Sequence, residues 1–337
     1  SKTVALYMTT TALAIALAVT VASIVQPGVG VDLAMASEFV AKEAPPLKTT
    51  IINMFPSNPI RSMAQGSILQ VIVFSLLMGF AISKSGETGQ RVGGVFSALN
   101  EVIMKMVMIL MNLAPYGIFC LLAKLFAGLG IGVILSLAKY FFTVVFVLLL
   151  HSFGVYSLIF KTVTGLSVRR FLSKMRPALM FAFSTASSGA TMPVTLRTVE
   201  HRMGVNNSVA SFTVPLGATI NMDGTAIMQG VATVFIAQAY NIGLGMDDYL
   251  TVVLTATLAS IGTAAVPGVG LVMLVMVLNQ VGLPVEGIGL IIGVDRLLDM
   301  MRTATNVTGD AMVTSVVAKT EGYMDTDIFN DPEAGVI

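Results

Sequence analysis

The stretch from Asp295 to Asp310, DRLLDMMRTATNVTGD, concentrates ionisable and amide side chains within an apolar part of the chain. It is flanked by IGLIIGV and AMVTSVVA, and its polar residues recur at steps of three and four. On an α-helix this spacing aligns them along one face. The residues of this polar face are Asp295, Asp299, Arg302, Thr303, Asn306 and Asp310.

Charged side chains inside a membrane-spanning helix cost about 2.5–3.5 kcal/mol each on insertion scales, so they must face protein, water or a ligand. One Asp–Arg pair would neutralise itself and merely join helices. Three acids, one arginine, an amide and a hydroxyl exceed what neutralisation needs. The polar face therefore predicts a binding site, with a purely structural ion-pair cluster as the alternative.

The composition indicates an integral membrane protein. Of 337 residues, 55% are hydrophobic and 11% are charged, whereas a soluble domain has about 25% charged residues. The net charge of +1 gives no indication of nucleic-acid binding. We expect a multi-pass protein surrounded by the lipid bilayer.

Four apolar segments are long enough to cross a hydrocarbon core of about 30 Å. They are residues 3–25, 67–83, 102–126 (with a kink near Pro115) and 133–160. A polar loop at 32–66 follows the first segment. A basic run without acids follows the fourth, so we expect it to face the cytoplasm. Its members are Lys161, Arg169, Arg170, Lys174 and Arg176.

Beyond Arg176, small and polar residues interrupt three successive apolar segments. They read STASSGAT at 184–191, NMDGT at 221–225 and SIGTAAVPGVG at 260–270. The first and third predict helical hairpins that enter and leave the membrane on one side, and the second predicts a broken helix. Such breaks are tolerated where backbone lines a cavity, and they mark transporter sites. One interruption could be a kink, but three favour a site.

The breaks also place oxygen atoms where a small cation could bind. NMDGT combines a carboxylate, an amide and freed carbonyls, which suit hard cations. Tyr7, Thr10 and Thr11 add hydroxyls on the first span, although threonine hydroxyls more often bond back to their own helix. Ser188 and nearby backbone N–H groups suit a carboxylate. Ser188 is disfavoured as a nucleophile because no G-x-S-x-G motif surrounds it.

Four segments closely resemble the dicarboxylate/amino acid:cation symporters, the glutamate transporter family. They are FSTASSGATMPVT, TVPLGATINMDGTAIMQG, TLASIGTAAVPGVG and LLDMMRTATNVTGD. The resemblance runs in order from Ser1 to Glu321, and the NMDGT and RTxxNxxGD motifs are highly specific. The first two spans of the family pattern do not precede Ser1, so we expect that an N-terminal portion is missing.

The resemblance implies an all-α membrane protein with two re-entrant helical hairpins, broken helices and inverted repeats. It further implies a homotrimer in which a static scaffold supports a mobile transport domain that moves as an elevator. Residues 1–26 would be a transport-domain span and 27–128 the loop and trimerisation scaffold. Residues 129–322 would form the transport domain, with hairpins at about 168–203 and 246–282 and a substrate helix at 287–321. Residues 323–337 would be a polar tail.

The resemblance also implies a substrate site for an acidic amino acid. By matching position, Arg302 would clamp the side-chain carboxylate, a bidentate task that suits a guanidinium. Asp299 would bind the ammonium group. The remaining contacts would come from Ser188, Thr303, Asn306 and the backbone of Val266 and Gly270.

Na⁺ is the implied cofactor, held by oxygen atoms at three sites. One would use Asp310 with backbone oxygens of Gly217, Asn221 and Asn306. A second would use Tyr7, Thr10, Thr11, Asn221 and Asp223. A third would use carbonyls of Thr219, Ser260, Ile261 and Thr263, with the Met222 sulfur nearby.

These matches predict a secondary transporter, not an enzyme, that carries L-aspartate or L-glutamate inward with Na⁺. Asp299 argues against a C4-dicarboxylate and Arg302 against a neutral amino acid. Gln229 stands where animal glutamate transporters carry a proton-bearing glutamate, so proton coupling stays open. The alternatives are a proton-coupled glutamate or C4-dicarboxylate symporter and an anion channel. An intramembrane aspartyl protease is disfavoured because residues 307–310 read VTGD instead of G-x-G-D.

Overall fold

The computed structural model describes residues 2–31, 52, 55–65, 67–111, 116, 119, 131–261 and 267–335. The regular elements in these ranges are helices, and one isolated antiparallel bridge joins Val205 and Met324. The chain divides into two compact units, Ser1–Ala44 with Ile131–Ile337 and Pro45–Gly130. The described architecture is therefore all-α, as the sequence predicts.

The smaller unit contains helices α2 (Pro59–Ala64), α3 (Ile68–Lys84) and α4 (Gly86–Met111). The side chain of Asn58 caps α2 by accepting from the Arg61 N–H, and Pro59 suits the first helical position. The structure differs from the predicted span at 102–126, because α4 begins much earlier, at Gly86. The predicted kink at Pro115 lies outside the described residues.

In the larger unit, α1 (Lys2–Val25) matches the first predicted span. The next long helical segment consists of three consecutive elements: α5 (Ile131–Leu149), a π-helical turn (Leu150–Val155) and α6 (Tyr156–Thr164). By length and composition, α1 and Leu135–Thr164 are the two helices of the described residues that could cross a membrane. The π-helical turn was not predicted; such turns are frequent at functional sites.

The larger unit is broken at the three predicted places. Helices α7 (Val168–Thr185) and α8 (Ser188–Arg197) meet at Ala186, whose φ of 50° ends α7. Helices α9 (Asn207–Ile220) and α10 (Asp223–Ala239) are separated by Asn221 and Met222. Helices α11 (Met246–Ile261) and α12 (Val269–Gln280) flank residues 262–266, which lie outside the described part of the chain.

Helix α13 (Ile288–Glu321) lies at the centre of the larger unit and packs against α5, α6, α7, α9 and α10. From Thr305 to Ala318 every residue of α13 is buried. A polar face on so central a helix must therefore be satisfied by neighbouring helices or by a ligand.

The predicted polar tail contains a short helical segment. This segment is α14 (Thr326–Asn330), which the Asp325 side chain caps. Phe329 is fully buried, its ring centroid lies 6.0 Å from that of Phe160, and it belongs to the same buried cluster as Phe171. One aromatic side chain in an acidic stretch thus anchors the segment, because burying a phenylalanine contributes about 1.5–3 kcal/mol.

Candidate functional site

Arg302 of α13 is held between two carboxylates. Its Nη1 donates to Asp295 Oδ1 over 2.6 Å, and its Nη2 donates to Asp299 Oδ1 over 2.8 Å. The Arg302 side chain is 1% exposed and the two acids are nearly buried. A buried guanidinium needs such partners because an unpaired charge at this depth is strongly destabilising.

Two features of this cluster lie beyond the predicted site. Asp295 belongs to the polar face but received no role, although its position two helical turns before Arg302 would have placed it there. The Nε of Arg302 is buried and lacks a hydrogen-bond partner among the described residues. The guanidinium therefore retains a donor that an incoming acceptor could use.

The tip of the third broken pair, α11–α12, contacts the same cluster. The Gly268 N–H donates to Asp299 Oδ2 over 2.9 Å, a contact that was not predicted. A Cβ on Gly270 would lie 3.0 Å from Thr225 Cγ2 and 3.5 Å from Arg302 Nη2, so this predicted residue borders the arginine closely. Val266 lies outside the described residues.

The other predicted substrate contacts are mostly engaged with protein. Asn306 Oδ1 accepts from the Gly224 N–H over 2.7 Å, and its Nδ2 lies 3.3 Å from the Met222 sulfur. The Thr303 hydroxyl donates to the Asp299 carbonyl over 2.8 Å. Ser188 is buried in the first turn of α8. Asn306 thus joins α13 to the start of α10.

A second polar cluster surrounds Asp310. The Asn221 Nδ2 donates to Asp310 Oδ1 over 2.9 Å and to the Asn306 carbonyl over 3.0 Å. The Asn221 N–H donates to the Gly217 carbonyl over 2.7 Å. A Cβ on Gly217 would lie 2.5 Å from Asp310 Oδ1 and from the Tyr7 hydroxyl, so only glycine allows this approach. All four residues predicted for the first Na⁺ site therefore meet.

A third cluster surrounds Asp223. The Thr11 hydroxyl donates to Asp223 Oδ1, whereas the Thr10 hydroxyl bonds back to the Tyr7 carbonyl over 3.0 Å. The Tyr7 hydroxyl donates to the Thr213 carbonyl over 3.0 Å. Of the three predicted hydroxyls, Thr11 is thus the one in direct contact with the acid.

Two unpredicted side chains complete the Asp223 cluster. The Tyr156 hydroxyl donates to Asp223 Oδ2 over 2.8 Å, and His151 Nε2 lies 3.2 Å from the same oxygen. Both His151 and Tyr156 are buried at or beside the π-helical turn. The sequence contains both residues, but the helical register that turns them inward depends on a wider turn that has no clear sequence signal.

The third predicted Na⁺ site is described in part. The Ser260 hydroxyl donates to the Ile220 carbonyl over 3.2 Å, which brings the end of α11 to the α9–α10 break. Ile261 is the last residue of α11. Thr219 is exposed and its hydroxyl bonds back to Leu216. Thr263 lies outside the described residues.

The donor set suits Na⁺. The Asp310 and Asp223 clusters offer carboxylate, amide, hydroxyl and carbonyl oxygens, the ligand types that hard cations prefer. Asn221 belongs to both predicted sites, and its Oδ1 is buried without a hydrogen-bond partner among the described residues. A buried acceptor left unpaired costs about 1–3 kcal/mol, which a cation at this oxygen would offset.

Comparisons with known proteins identify the family of this chain. A family model described as "Sodium:dicarboxylate symporter family" matches residues 1–320. The proton/glutamate-aspartate symporter of Escherichia coli K12 is 36% identical over 96% of this chain and 77% of the relative. The proton/sodium-glutamate symport protein of Bacillus subtilis is 33% identical over 100% of this chain and 79% of the relative.

A mammalian relative is similar over a shorter range. Human excitatory amino acid transporter 1 is 43% identical over 77% of this chain, which corresponds to 48% of that relative. The chain thus spans about half of its length. The family match and the bacterial similarities cover nearly the whole of this chain. The chain therefore belongs to the sodium:dicarboxylate symporter family, a family of membrane transporters and not of enzymes.

Proposed function

We propose that this protein is a multi-pass transporter of the plasma (inner) membrane that carries L-aspartate or L-glutamate inward together with Na⁺. The observation that supports this most strongly is the buried Arg302 between Asp295 and Asp299, on the same helix as Asp310. One helix thereby supplies opposite charges for an amino acid and a carboxylate for a cation. The names of the bacterial relatives, which include glutamate and aspartate, support the substrate class.

Substrate binding would replace ion pairs within the protein by ion pairs between the protein and the substrate. The substrate side-chain carboxylate would take the place of a protein carboxylate on Arg302, whose planar donors suit bidentate binding. Asp299, released from the arginine, would accept from the substrate ammonium. The Gly268 N–H donates to Asp299 without a ligand, so the hairpin tip would reorganise as the ammonium group binds.

Na⁺, when bound, would supply the positive charge that compensates Asp310 and Asp223. The fold brings oxygen atoms from α1, α9, α10 and α13 together at the α9–α10 break. Asn306 would connect the two functions because its carbonyl faces Asn221 and its side chain faces Gly224. Each net charge moved inward contributes about 2.3 kcal/mol per 100 mV.

An elevator mechanism in a homotrimer is part of the same proposal. The division into two compact units, in which α1 belongs with Ile131–Ile337 and not with Pro45–Gly130, supports the elevator part of the proposal. The proposed transport domain comprises residues 1–26 and 129–322 and the proposed scaffold 27–128, whereas the compact unit that contains α1 extends to Ala44. The α7–α8 and α11–α12 pairs would be the re-entrant hairpins.

Proton coupling is a second candidate for the driving ion. His151 and Tyr156 both contact Asp223 Oδ2, and the names of both bacterial relatives include a proton. Uptake of labelled aspartate by proteoliposomes of the complete protein separates the two candidates. Na⁺ coupling predicts saturable accumulation under an inward Na⁺ gradient at symmetric pH. Undiminished accumulation driven by a pH gradient without Na⁺ would refute it, and equilibration without accumulation would indicate a channel.

Asp310→Asn is expected to raise the Na⁺ concentration for half-maximal uptake by at least about tenfold, the scale on which disturbed ligand shells weaken metal sites. The physical reason is loss of the carboxylate charge beside the unpaired Asn221 oxygen. The matched control is Asp247→Asn, which removes an exposed carboxylate from α11. Uptake is measured as a function of Na⁺ concentration in both variants and in the wild type. Equal Na⁺ dependence in Asp310→Asn and wild type would exclude Asp310 as a ligand.

A further inference from the structure

A cavity outside the candidate transport site lies between the two arms of the first broken pair, α7 and α8, at the end away from their tip. Its volume is about 440 Å³, and none of its lining residues belongs to the candidate transport site. Its walls come from both arms, the π-helical turn that follows α8 (Thr198–Arg202) and the C-terminal segment. Lining residues include Pro177, Pro193, Val194, Arg197, Arg202 and Gly335.

The cavity contains two arginines without acidic partners. Neither Arg197 nor Arg202 forms an ion pair within the described ranges. Arg202 donates from Nη1 to the Lys174 carbonyl over 3.2 Å, while its Nε is buried and has no partner there. Two such cations beside one cavity create a positive potential that favours an anion.

Neither Glu200 nor Asp331 forms an ion pair with the cavity arginines among the described residues. Glu200 accepts from the Asn207 amide over 2.6 Å, and Asp331 Oδ1 accepts from the Glu333 N–H over 2.9 Å. Lys174 adds to the positive charge, since its ammonium is bound by backbone carbonyls and not by a carboxylate. These carbonyls belong to Arg202, Ile328 and Asp331. The same bonds fix the C-terminal segment beside the cavity.

The lining changes from apolar to cationic along the hairpin. Pro193 and Val194 are closer to the tip at Ala186, while Arg202 is at the base, about 13 Å further along at 1.5 Å per residue. The base adjoins the basic run Lys161–Arg176, the part of the chain expected at the cytoplasmic membrane surface. An occupant should therefore be anionic at one end and apolar at the other.

We propose that this cavity binds an anionic phospholipid, with its phosphate against Arg197 and Arg202 and its glycerol and first methylenes against Pro177 and Pro193. Basic clefts between helices on the cytoplasmic side of membranes suit such headgroups. Inorganic phosphate would satisfy the arginines but would leave the apolar wall in contact with water. The phospholipid fits both parts of the lining.

The test titrates three probes into the purified complete protein in neutral detergent and measures the thermal unfolding midpoint at each concentration. The three probes are short-chain phosphatidylglycerol, phosphatidylcholine of equal chain length and inorganic phosphate. A ligand that binds only the folded state stabilises it by RT ln(1 + c/Kd), where c is the free ligand concentration, so the midpoint rises with ligand concentration. Phosphatidylglycerol is expected to raise the midpoint at concentrations at which the other two probes do not.

Arg197→Gln and Arg169→Gln form a matched pair of variants. Both remove one exposed positive charge from the same hairpin, but Arg197 lines the cavity and Arg169 does not. The Arg197 side chain makes no hydrogen bond or ion pair among the described residues, so its loss should not impair folding. The apparent affinity for phosphatidylglycerol should fall about fivefold in Arg197→Gln, because one basic side chain near an anionic lipid contributes about 1 kcal/mol. In Arg169→Gln it should stay at the wild-type value.

Three outcomes would overturn the proposal. Equal losses in both variants would indicate attraction to surface charge without a defined site. Equal effects of phosphatidylcholine and phosphatidylglycerol would indicate apolar filling alone. A midpoint shift with inorganic phosphate that matches phosphatidylglycerol would indicate a soluble anion as the ligand. None of these results depends on transport, so the proposal and the transport function are tested separately.

Discussion

Arg302→Ala is expected to weaken aspartate binding by more than about a hundredfold while neutral amino acids begin to bind. Removing one partner of a buried charge pair costs about 3–5 kcal/mol, because the remaining charge stays buried without compensation. In the variant, the side-chain carboxylate of aspartate would be that charge. Serine has no such carboxylate, so its binding escapes this penalty.

Competition binding with aspartate, serine and succinate measures the effect. Arg296→Ala is the matched control, because it removes an exposed arginine from the same helix. The double variant Arg302→Ala/Asp295→Asn separates recognition from folding, since it also removes one of the two acids that Arg302 neutralises. Wild-type aspartate affinity in Arg302→Ala would show that the arginine is structural and would remove the main support for an acidic substrate.

The predictable part of this molecule is the part governed by local pattern. The helix breaks at NMDGT and at the two small-residue tips follow from their residue types. Glycine is destabilising within a helix, and Ser, Thr, Asn and Asp side chains compete for the backbone hydrogen bonds of the helix. The polar face of α13 follows from its spacing alone. The convergence of Gly217, Asn221, Asn306 and Asp310 was predicted only through the family resemblance, because it depends on contacts between α9 and α13.

The unpredicted contacts depend on geometry that the sequence does not encode locally. His151 and Tyr156 reach Asp223 because a π-helical turn alters the register of α5 and α6. Asp295 was visible as part of the polar face, but its hydrogen bond to Arg302 would compete with a substrate carboxylate in the proposed site. The spacing predicts which carboxylates can reach the arginine, but it does not predict whether a protein carboxylate or a substrate carboxylate binds more strongly.

Asp299→Ser is expected to change selectivity along a different chemical axis. Asp299 is the proposed partner of the substrate ammonium, and loss of a buried, hydrogen-bonded charge pair costs about 2–5 kcal/mol. Aspartate should therefore bind at least about thirtyfold more weakly. Succinate has two carboxylates but no ammonium group, so its binding should change much less. The ratio of succinate to aspartate affinity is expected to rise accordingly.

Asp295→Ser provides the matched comparison for this prediction. Both acids contact Arg302, but only Asp299 also accepts from the Gly268 N–H at the hairpin tip. Both variants remove one negative charge from the arginine, so any general loss of charge balance is common to them. A change in the succinate-to-aspartate ratio confined to Asp299→Ser would support ammonium recognition by Asp299. The same change in both variants would mean that the two acids act only through Arg302, and Asp299 would then have no separate role in recognising an amino group.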